Sequence, residues 1–405
     1  MRLSARSGWP SEPSPWAEAV ARAKAHAKAH ARARAEDGND LVDLTLTNPT
    51  AVGLVHDAAL YRALGTEAAA RYHPRARGSA EARAAVAGYY ARRGIAVDPE
   101  RVLLYASTSE AYAQLLAIVA DPGDAVLVPR PGYPLLDMLG DVVGVRRVPY
   151  PLAFDGAWYL DRTGLDAALS AEPRARAIVV VAPSNPTGHV PTADEQAALR
   201  ARAVAHDLPL LIDEVFADYP LRGDVSTRCF AAHHDVPCVV LSGLSKVAAL
   251  PQLKLSWAVL HGPSAEVDEL RARAELAADA FLSVSTPVQL ALPRLLEAAE
   301  ELQPRIHARL RANIARIATL VRDQPVDLLP ADAGWTALLR LPSVDGLDDL
   351  GWALRLLDAG VLVQPGFLFD LGAPPRVAMS LLTPPEVLDE GMTRLLRGVA
   401  AAIDR

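Results

Sequence analysis

Between residues 100 and 260, short apolar runs alternate with segments of helical length. Runs of strand length fall at 102–106, 125–129, 145–150, 177–182, 208–212, 238–242 and 255–260, and helix-length stretches at 109–120, 132–141 and 192–206 separate several of them. Several runs, such as Ala177–Ala182, are apolar throughout instead of alternating. That pattern predicts strands covered on both faces, hence a three-layer, doubly wound α/β domain with a mostly parallel sheet. Residues 264–322 read as long helices with turn signals near Pro287 and Pro304. From 326 the pattern changes: strands at 335–341, 361–364 and 376–381 and helices at 346–359 and from 385 predict a smaller α+β domain. At the other end, residues 1–14 read as an irregular arm and 16–36 as a helix. The expected division is an arm and helix over 1–45 packing with the small domain, a large domain over 46–285 and a small domain over 286–405.

Composition narrows the function classes. A net charge of −7 disfavours nucleic-acid binding. No apolar run reaches the length of a membrane span, and no signal-peptide pattern opens the chain. Two cysteines, Cys229 and Cys238, suit a reducing compartment and lack metal-ligand spacing. These features predict a cytoplasmic protein with no nucleic-acid, membrane or metal partner. His26 and His30 have helical metal-pair spacing, but without an acidic third ligand they read as a solvated face. Of 41 basic residues only four are lysines: Lys24, Lys28, Lys246 and Lys254. In an arginine-rich chain a retained lysine is a candidate for chemistry that needs a primary amine able to lose its proton.

Doubly wound sheets bind ligands past the carboxyl ends of their strands. The run 102–106 leads into Ser107-Thr108-Ser109-Glu110, which is capping-box spacing and also a phosphate cradle at a helix N-terminus. The run 125–129 leads to Tyr133 among prolines, a packing aromatic or a platform for a flat ring. The run 177–182 leads to Ser184-Asn185-Pro186-Thr187-Gly188, a turn that can aim an amide into a cleft, with a proline bond that can be cis. The run 208–212 ends in Asp213-Glu214, and the run 238–242 in Gly243-Leu244-Ser245-Lys246, a lysine flanked by apolar residues. Singly, each is satisfied by a structural role. Together, five strand ends offer a phosphate cradle, a ring platform, an amide, a carboxylate and an amine, the parts needed to hold pyridoxal phosphate.

The ordered set Tyr72, Gly78, Arg83, SNPTG at 184–188, DEVF at 213–216, SGLSK at 242–246 and Arg376 resembles the class I/II aminotransferases of the fold type I pyridoxal phosphate enzymes, from about residue 40 to 400. The resemblance implies that Lys246 carries the cofactor as an internal aldimine and shuttles the proton, and that Asp213 pairs with the pyridinium nitrogen. It further implies that Asn185 donates to the phenolic oxygen, Tyr133 stacks on the ring, and Ser107, Thr108 and Ser245 lie in the cofactor site. Tyr72 reaches the phosphate of a second subunit, which implies a homodimer with shared sites. Arg376 clamps the substrate α-carboxylate, with Asn185 and Thr47 of the LTLTNPT stretch on the substrate side.

Four positions depart from that pattern. Phe216 stands where a tyrosine usually donates to the phenolic oxygen, which predicts a raised aldimine pKa. Gly243 replaces a phosphate-binding serine, leaving Ser242 as the expected substitute. Lys254 replaces a phosphate-binding arginine. No arginine lies between Arg273 and Ser283, where Asp279 and Phe281 are found instead, and this predicts a substrate that is not strictly dicarboxylic. The expected activity is transfer of an amino group from an amino acid to a 2-oxo acid through pyridoxamine phosphate. A β-eliminating lyase on the same scaffold is the alternative, and a non-catalytic cofactor-binding regulatory module a remote one.

Overall fold

The structure, a computed structural model, describes residues 3–10, 12–33, 41–223, 229–232 and 235–404. Its main sheet has eight strands: β1 (Val102–Tyr105), β2 (Ala125–Arg130), β3 (Arg146–Phe154), β4 (Trp158–Leu160), β5 (Ala175–Val181), β6 (Leu210–Asp213), β7 (Cys238–Gly243) and β8 (Ser256–His261). Their order is β1-β8-β7-β6-β5-β2-β3-β4. The inner strands β7, β6, β5, β2 and β3 run parallel, while β8 is antiparallel to both β7 and β1 and β4 closes a hairpin on β3.

Strand periodicity divides the core in two. Leu104, Leu127, Ile178, Val180, Ile212 and Val240 pack on one face, and Leu103, Val126, Val128, Val179, Leu211 and Val239 on the other. Successive residues thus feed opposite faces, and both faces are covered, so the runs carry no polar alternation. The doubly wound expectation holds. The β3–β4 hairpin was not expected from the sequence: β3 runs beyond the expected 145–150 to Phe154, and β4, three residues long, carries no strand-length apolar run.

The second body is an antiparallel sheet of β9 (Asp327–Leu328), β10 (Thr336–Arg340), β11 (Gln364–Pro365) and β12 (Arg376–Ser380), ordered β9-β10-β12-β11. Helices Asp349–Asp358 and Pro385–Ile403 pack with it around Trp352, Leu356, Leu388 and Leu395. A short parallel ladder joins Val42–Asp43 to Val361–Leu362, and the first helix, Pro15–Ala33, docks Trp16 beside Ala353 and Leu357 of the small body. Lys24 of that helix pairs with Asp43 at 3.0 Å. The remainder of the expected 16–36 helix, residues 34–36, and the side chain of His30 lie outside the described residues. No helix among the described residues is long and apolar enough to cross a membrane.

One expectation fails. Pro304 does not end a helix: Thr286–Leu320 is continuous for 35 residues, with Pro293 and Pro304 inside it. An interior proline removes a hydrogen bond and costs about 3 kcal/mol. Burial of Leu302, Ile306 and Leu310 on both sides of Pro304, at about 1.5–3 kcal/mol per large apolar side chain, outweighs that cost.

Candidate active site

The carboxyl ends of β7, β6, β5 and β2 open side by side toward the small body. At the end of β7 the chain turns sharply into the helical turn Leu244–Val247, which carries Lys246. Gly243 is required at this turn. A Cβ built there would lie 2.7 Å from Ser256 Cβ and 2.9 Å from Ser256 Cα, and Gly243 and Ser256 are paired partners on β7 and β8. The absent phosphate-binding serine is therefore a steric consequence of how closely β8 approaches. Ser242, the expected substitute, precedes Gly243 on β7. Its Oγ is buried without a hydrogen-bond partner, because strand alternation turns it to the packed face with Val240 and Cys238.

Asp213 ends β6, beside β7, and is partly open to the cleft. Burial pushes its carboxyl up to about 6, while the Val215 N–H, Lys246 and Tyr112 pull it back down. Lys246 shows the complementary shift: burial lowers its amine to about 8, opposed by the Asp213 charge. The hydroxyl of Tyr112, buried without a well-formed hydrogen bond, lies against the Asp213 carboxylate. The Lys246 Nζ sits 5.2 Å from the ring centre of Phe216 and 4.9 Å from that of Trp335.

Asn185 projects from the loop after β5 on a cis Asn185–Pro186 bond. Its Oδ1 accepts from Thr336 Oγ1 at 3.3 Å, a contact with the small sheet. The same loop is fastened to the small body through Gly188, which has φ +70° and whose added Cβ would meet Ala331 Cβ at 2.6 Å. His189 follows it, buried between Glu195 (3.4 Å) and Asp332 (3.7 Å). Burial opposes its charge, but the two carboxylates outweigh that and raise its pKa.

Tyr133 is 52% exposed, with its ring 6.4 Å from Phe369 of the small body. Its loop is tied there by Gly132 N–H donating to the Phe369 carbonyl and by Arg130 Nε at 2.9 Å from Asp370. Ser107 caps helix Thr108–Val119, its Oγ accepting from Glu110 N–H at 3.1 Å. Thr108 is the first residue of that helix, whose leading N–H groups have no intrahelical acceptor. Ser245 lies partly open beside Lys246.

Arg376 opens β12 at 7% exposure. Its Nη1 donates to the Leu371 and Gly372 carbonyls, and its guanidinium lies 6.0 Å from the Trp158 ring. It shares the β12 face of Ser380, whose β10 partner Thr336 meets Asn185. Thr47, Lys254 and Tyr72 are not gathered into this cluster. Thr47 and Lys254 are exposed, and among the described residues Lys254 has no ion pair. Tyr72 is 75% exposed and lines an outer cleft with His73, Arg75 and Leu282. No group of three potential metal ligands occurs among the described residues. Sequence reasoning missed Trp335, Tyr112, Arg130 and His189, since each acts through a tertiary contact that no local motif announces.

The family model for "Aminotransferase class I and II" matches residues 50–395. The chain is 27% identical over 365 residues to the glutamate-pyruvate aminotransferase AlaA of Escherichia coli, covering 87% of this chain and 88% of that one. It is also 27% identical over 263 residues to the Haemophilus influenzae protein of the same name, spanning 65% of that relative. Among solved structures, an alanine aminotransferase from Pyrococcus furiosus superposes with a TM-score of 0.87 at 23% identity, covering 99% of this chain and 100% of that one. A double mutant of Thermus thermophilus aspartate aminotransferase superposes with a TM-score of 0.81 at 26% identity, covering 98% and 100%. The lysine, carboxylate and amide at adjoining strand ends thus sit on a shared fold and within a matching sequence, and the chain belongs to the class I and II aminotransferase family.

Proposed function

We propose that the chain transfers an amino group from an amino acid to a 2-oxo acid, using pyridoxal phosphate held by Lys246. The observation that carries this reading is the pairing of Lys246 and Asp213 on neighbouring strand ends, each displaced by burial toward neutrality. An amine near 8 is a usable nucleophile at physiological pH, where an ordinary lysine is almost wholly protonated. The residues present fit the cofactor. Asp213, largely buried at the cleft, needs a cationic partner there, which a pyridinium nitrogen supplies. The first turn after Ser107 offers N–H groups to a phosphate. Asn185 is poised to donate from its amide while its carbonyl is held by Thr336.

When bound, pyridoxal phosphate supplies an electron sink for a bond broken at the substrate Cα. The chain's own groups do the rest. The Lys246 Nζ would accept and return the Cα proton, Asp213 would hold a proton on the ring nitrogen, and Tyr133 would bound the ring. Arg376 holds the α-carboxylate in a site dry enough to strengthen the ion pair. Ser245 and Lys254 are assigned to the cofactor side and Thr47 to the substrate side, on the strength of sequence position.

We further assign the protein to the cytoplasm and to a homodimer. The exposed Tyr72 and a neighbouring 870 Å³ cleft lined by both arginines (Arg71, Arg75) and glutamates (Glu67, Glu81) support a second copy against that face. The large domain is assigned to residues 46–285 and the small domain to 286–405. Apolar walls at Phe216, Trp335 and Phe369, with no arginine between Arg273 and Ser283, favour substrates that are not strictly dicarboxylic.

The test is the absorption spectrum of the purified protein as single amino acids are added without any oxo acid. Loss of the yellow band with one equivalent of oxo acid is expected. Continuous ammonia release with the band retained would assign β-elimination instead. A protein that takes up no pyridoxal phosphate overturns the reading.

A further inference from the structure

Lys246 is held by two aromatic walls that come from different bodies. Phe216 follows β6 of the main sheet, and Trp335 directly precedes β10 of the small sheet. Their ring centres are 5.3 Å apart at 68°, an edge-to-face corner, and the Nζ stands 5.2 and 4.9 Å from the two centres. Both distances fall within the range of a cation–π contact. Tyr219 backs the corner, its ring 4.9 Å from Trp335 and its hydroxyl donating to the Lys246 carbonyl at 2.5 Å. The backbone of Lys246 and its amine are thus fixed by one aromatic cluster.

The choice of tryptophan is informative. Its indole N–H is buried without a hydrogen-bond partner. A buried unpaired donor is costly, and phenylalanine would fill much of the same space without it. What tryptophan adds is the strongest π face available to a cation. In the same corner Phe216 has no hydroxyl to orient the amine by hydrogen bonding, so orientation is left to the ring faces.

We propose that Trp335 is a positioning residue for Lys246: its ring, presented by the small body, holds the lysine amine against Phe216. This rests on the reading of Lys246 as the cofactor-bearing amine and deepens it. The amine is then set only where the small body is seated against the large one. Among the described groups, the charge acting on Lys246 is Asp213, with the Tyr112 hydroxyl against it. On the far side of the corner, His307 stacks on Tyr219 at 5.5 Å, and Asp218 lies near both.

The experiment uses the full chain freed of cofactor and labelled with acetic anhydride across a pH series. Peptide mass spectrometry reports each site, which is straightforward in a chain with four lysines. Trp335→Leu keeps the apolar wall and removes the π face. The half-labelling pH of Lys246 is expected to fall by about half a unit to one unit, a three- to tenfold change in its proton affinity. Trp335→Phe, with a weaker π face, is expected to restore part of it. A half-labelling pH that is unchanged or raised in Trp335→Leu overturns the proposal, because a ring that served only as an apolar wall would leave the amine no harder to charge once replaced. If Trp335→Leu does not fold, Phe216→Leu is read in the same way, with a fall supporting the corner and no change or a rise overturning it. Protection of Lys246 on adding pyridoxal phosphate is scored separately. If Lys246 still labels with cofactor bound, the cofactor reading fails, while the titration still judges Trp335.

Discussion

Replacing Gly243 with serine would restore the side chain that the family usually places three residues before the lysine, and the geometry predicts harm. Its φ of 175° is ordinary extended backbone, so the obstacle is steric alone. The new Cβ would stand 2.7 Å from Ser256 Cβ, 2.9 Å from Ser256 Cα and 3.1 Å from the Leu255 carbonyl oxygen. Two of these partners are backbone atoms of β8 and the residue before it, where a neighbouring bond, Leu244 N–H to the Leu255 carbonyl, fixes the spacing at 3.0 Å. The strands must therefore separate, and overpacking of this kind costs about 1–3 kcal/mol. The urea midpoint of Gly243→Ser is expected to fall with its slope unchanged. Pyridoxal phosphate should be lost more readily, because Lys246 lies three residues on. Ser256→Gly removes the side-chain clash and leaves the one with the Ser256 backbone, so it should rescue part of the loss. The double variant is expected to be more stable than the two single changes predict, by about 0.5–3 kcal/mol. A Gly243→Ser protein as stable as the parent, or strictly additive changes, would refute the steric account.

Other consequences are measurable. Since the Asp213 carboxylate holds the Lys246 amine up against its desolvation, Asp213→Asn should move the half-labelling pH of Lys246 in the cofactor-free chain below about 8; a rise would contradict the pairing. His189, raised by Asp332 and Glu195, contributes stability that is complete below pH 6.5 and disappears as pH climbs through its higher folded value. His189→Gln should therefore flatten the alkaline side of the urea-stability profile and also weaken its acid limb, because, against their burial, His189 is the leading cause of the lowered Glu195 and Asp332 carboxyls; a profile with both limbs unchanged would contradict the pairing. Phe216→Tyr, by adding a donor to the phenolic oxygen, should shift the pH titration of the holoenzyme's visible band downward, and an unchanged or higher midpoint would count against that hydrogen bond.

The fold was legible where burial is two-sided. Runs such as Ile178–Val181 and Leu210–Ile212 carry both core faces in consecutive residues and have no other reading. Candidate chemistry was legible at Asp213 and Lys246, because apolar flanks around an ionisable group state its desolvation outright. What escaped depended on distant chain. The direction of β8 depends on pairing with strands on either side of it. The helix through Pro304 depends on burial in the small body's core. The expectation for Ser242 counted position along a strand without asking which face each residue takes. Trp335 reads locally as the start of a strand, and only packing brings its ring beneath an amine 89 positions earlier.

The sheet order has a consequence for how the molecule is made. The edge strand β1 bonds only to β8, and Ser256 Oγ reaches the Tyr105 carbonyl across 151 residues of sequence. A ribosome adding roughly 5–20 residues per second needs on the order of 10–30 s to deliver β8 after β1 has emerged. During that interval the Ser107–Thr108 helix end lacks the paired edge strand beneath it, although the helix behind it packs through Tyr112 and Leu115 on Val126, Val179 and Leu211. The nascent chain can stack β2, β5, β6 and β7 in turn, but β1 is paired last. A nascent chain halted before residue 256 should therefore carry the amine and the carboxylate while the edge strand that leads into the phosphate-facing helix end is still unpaired.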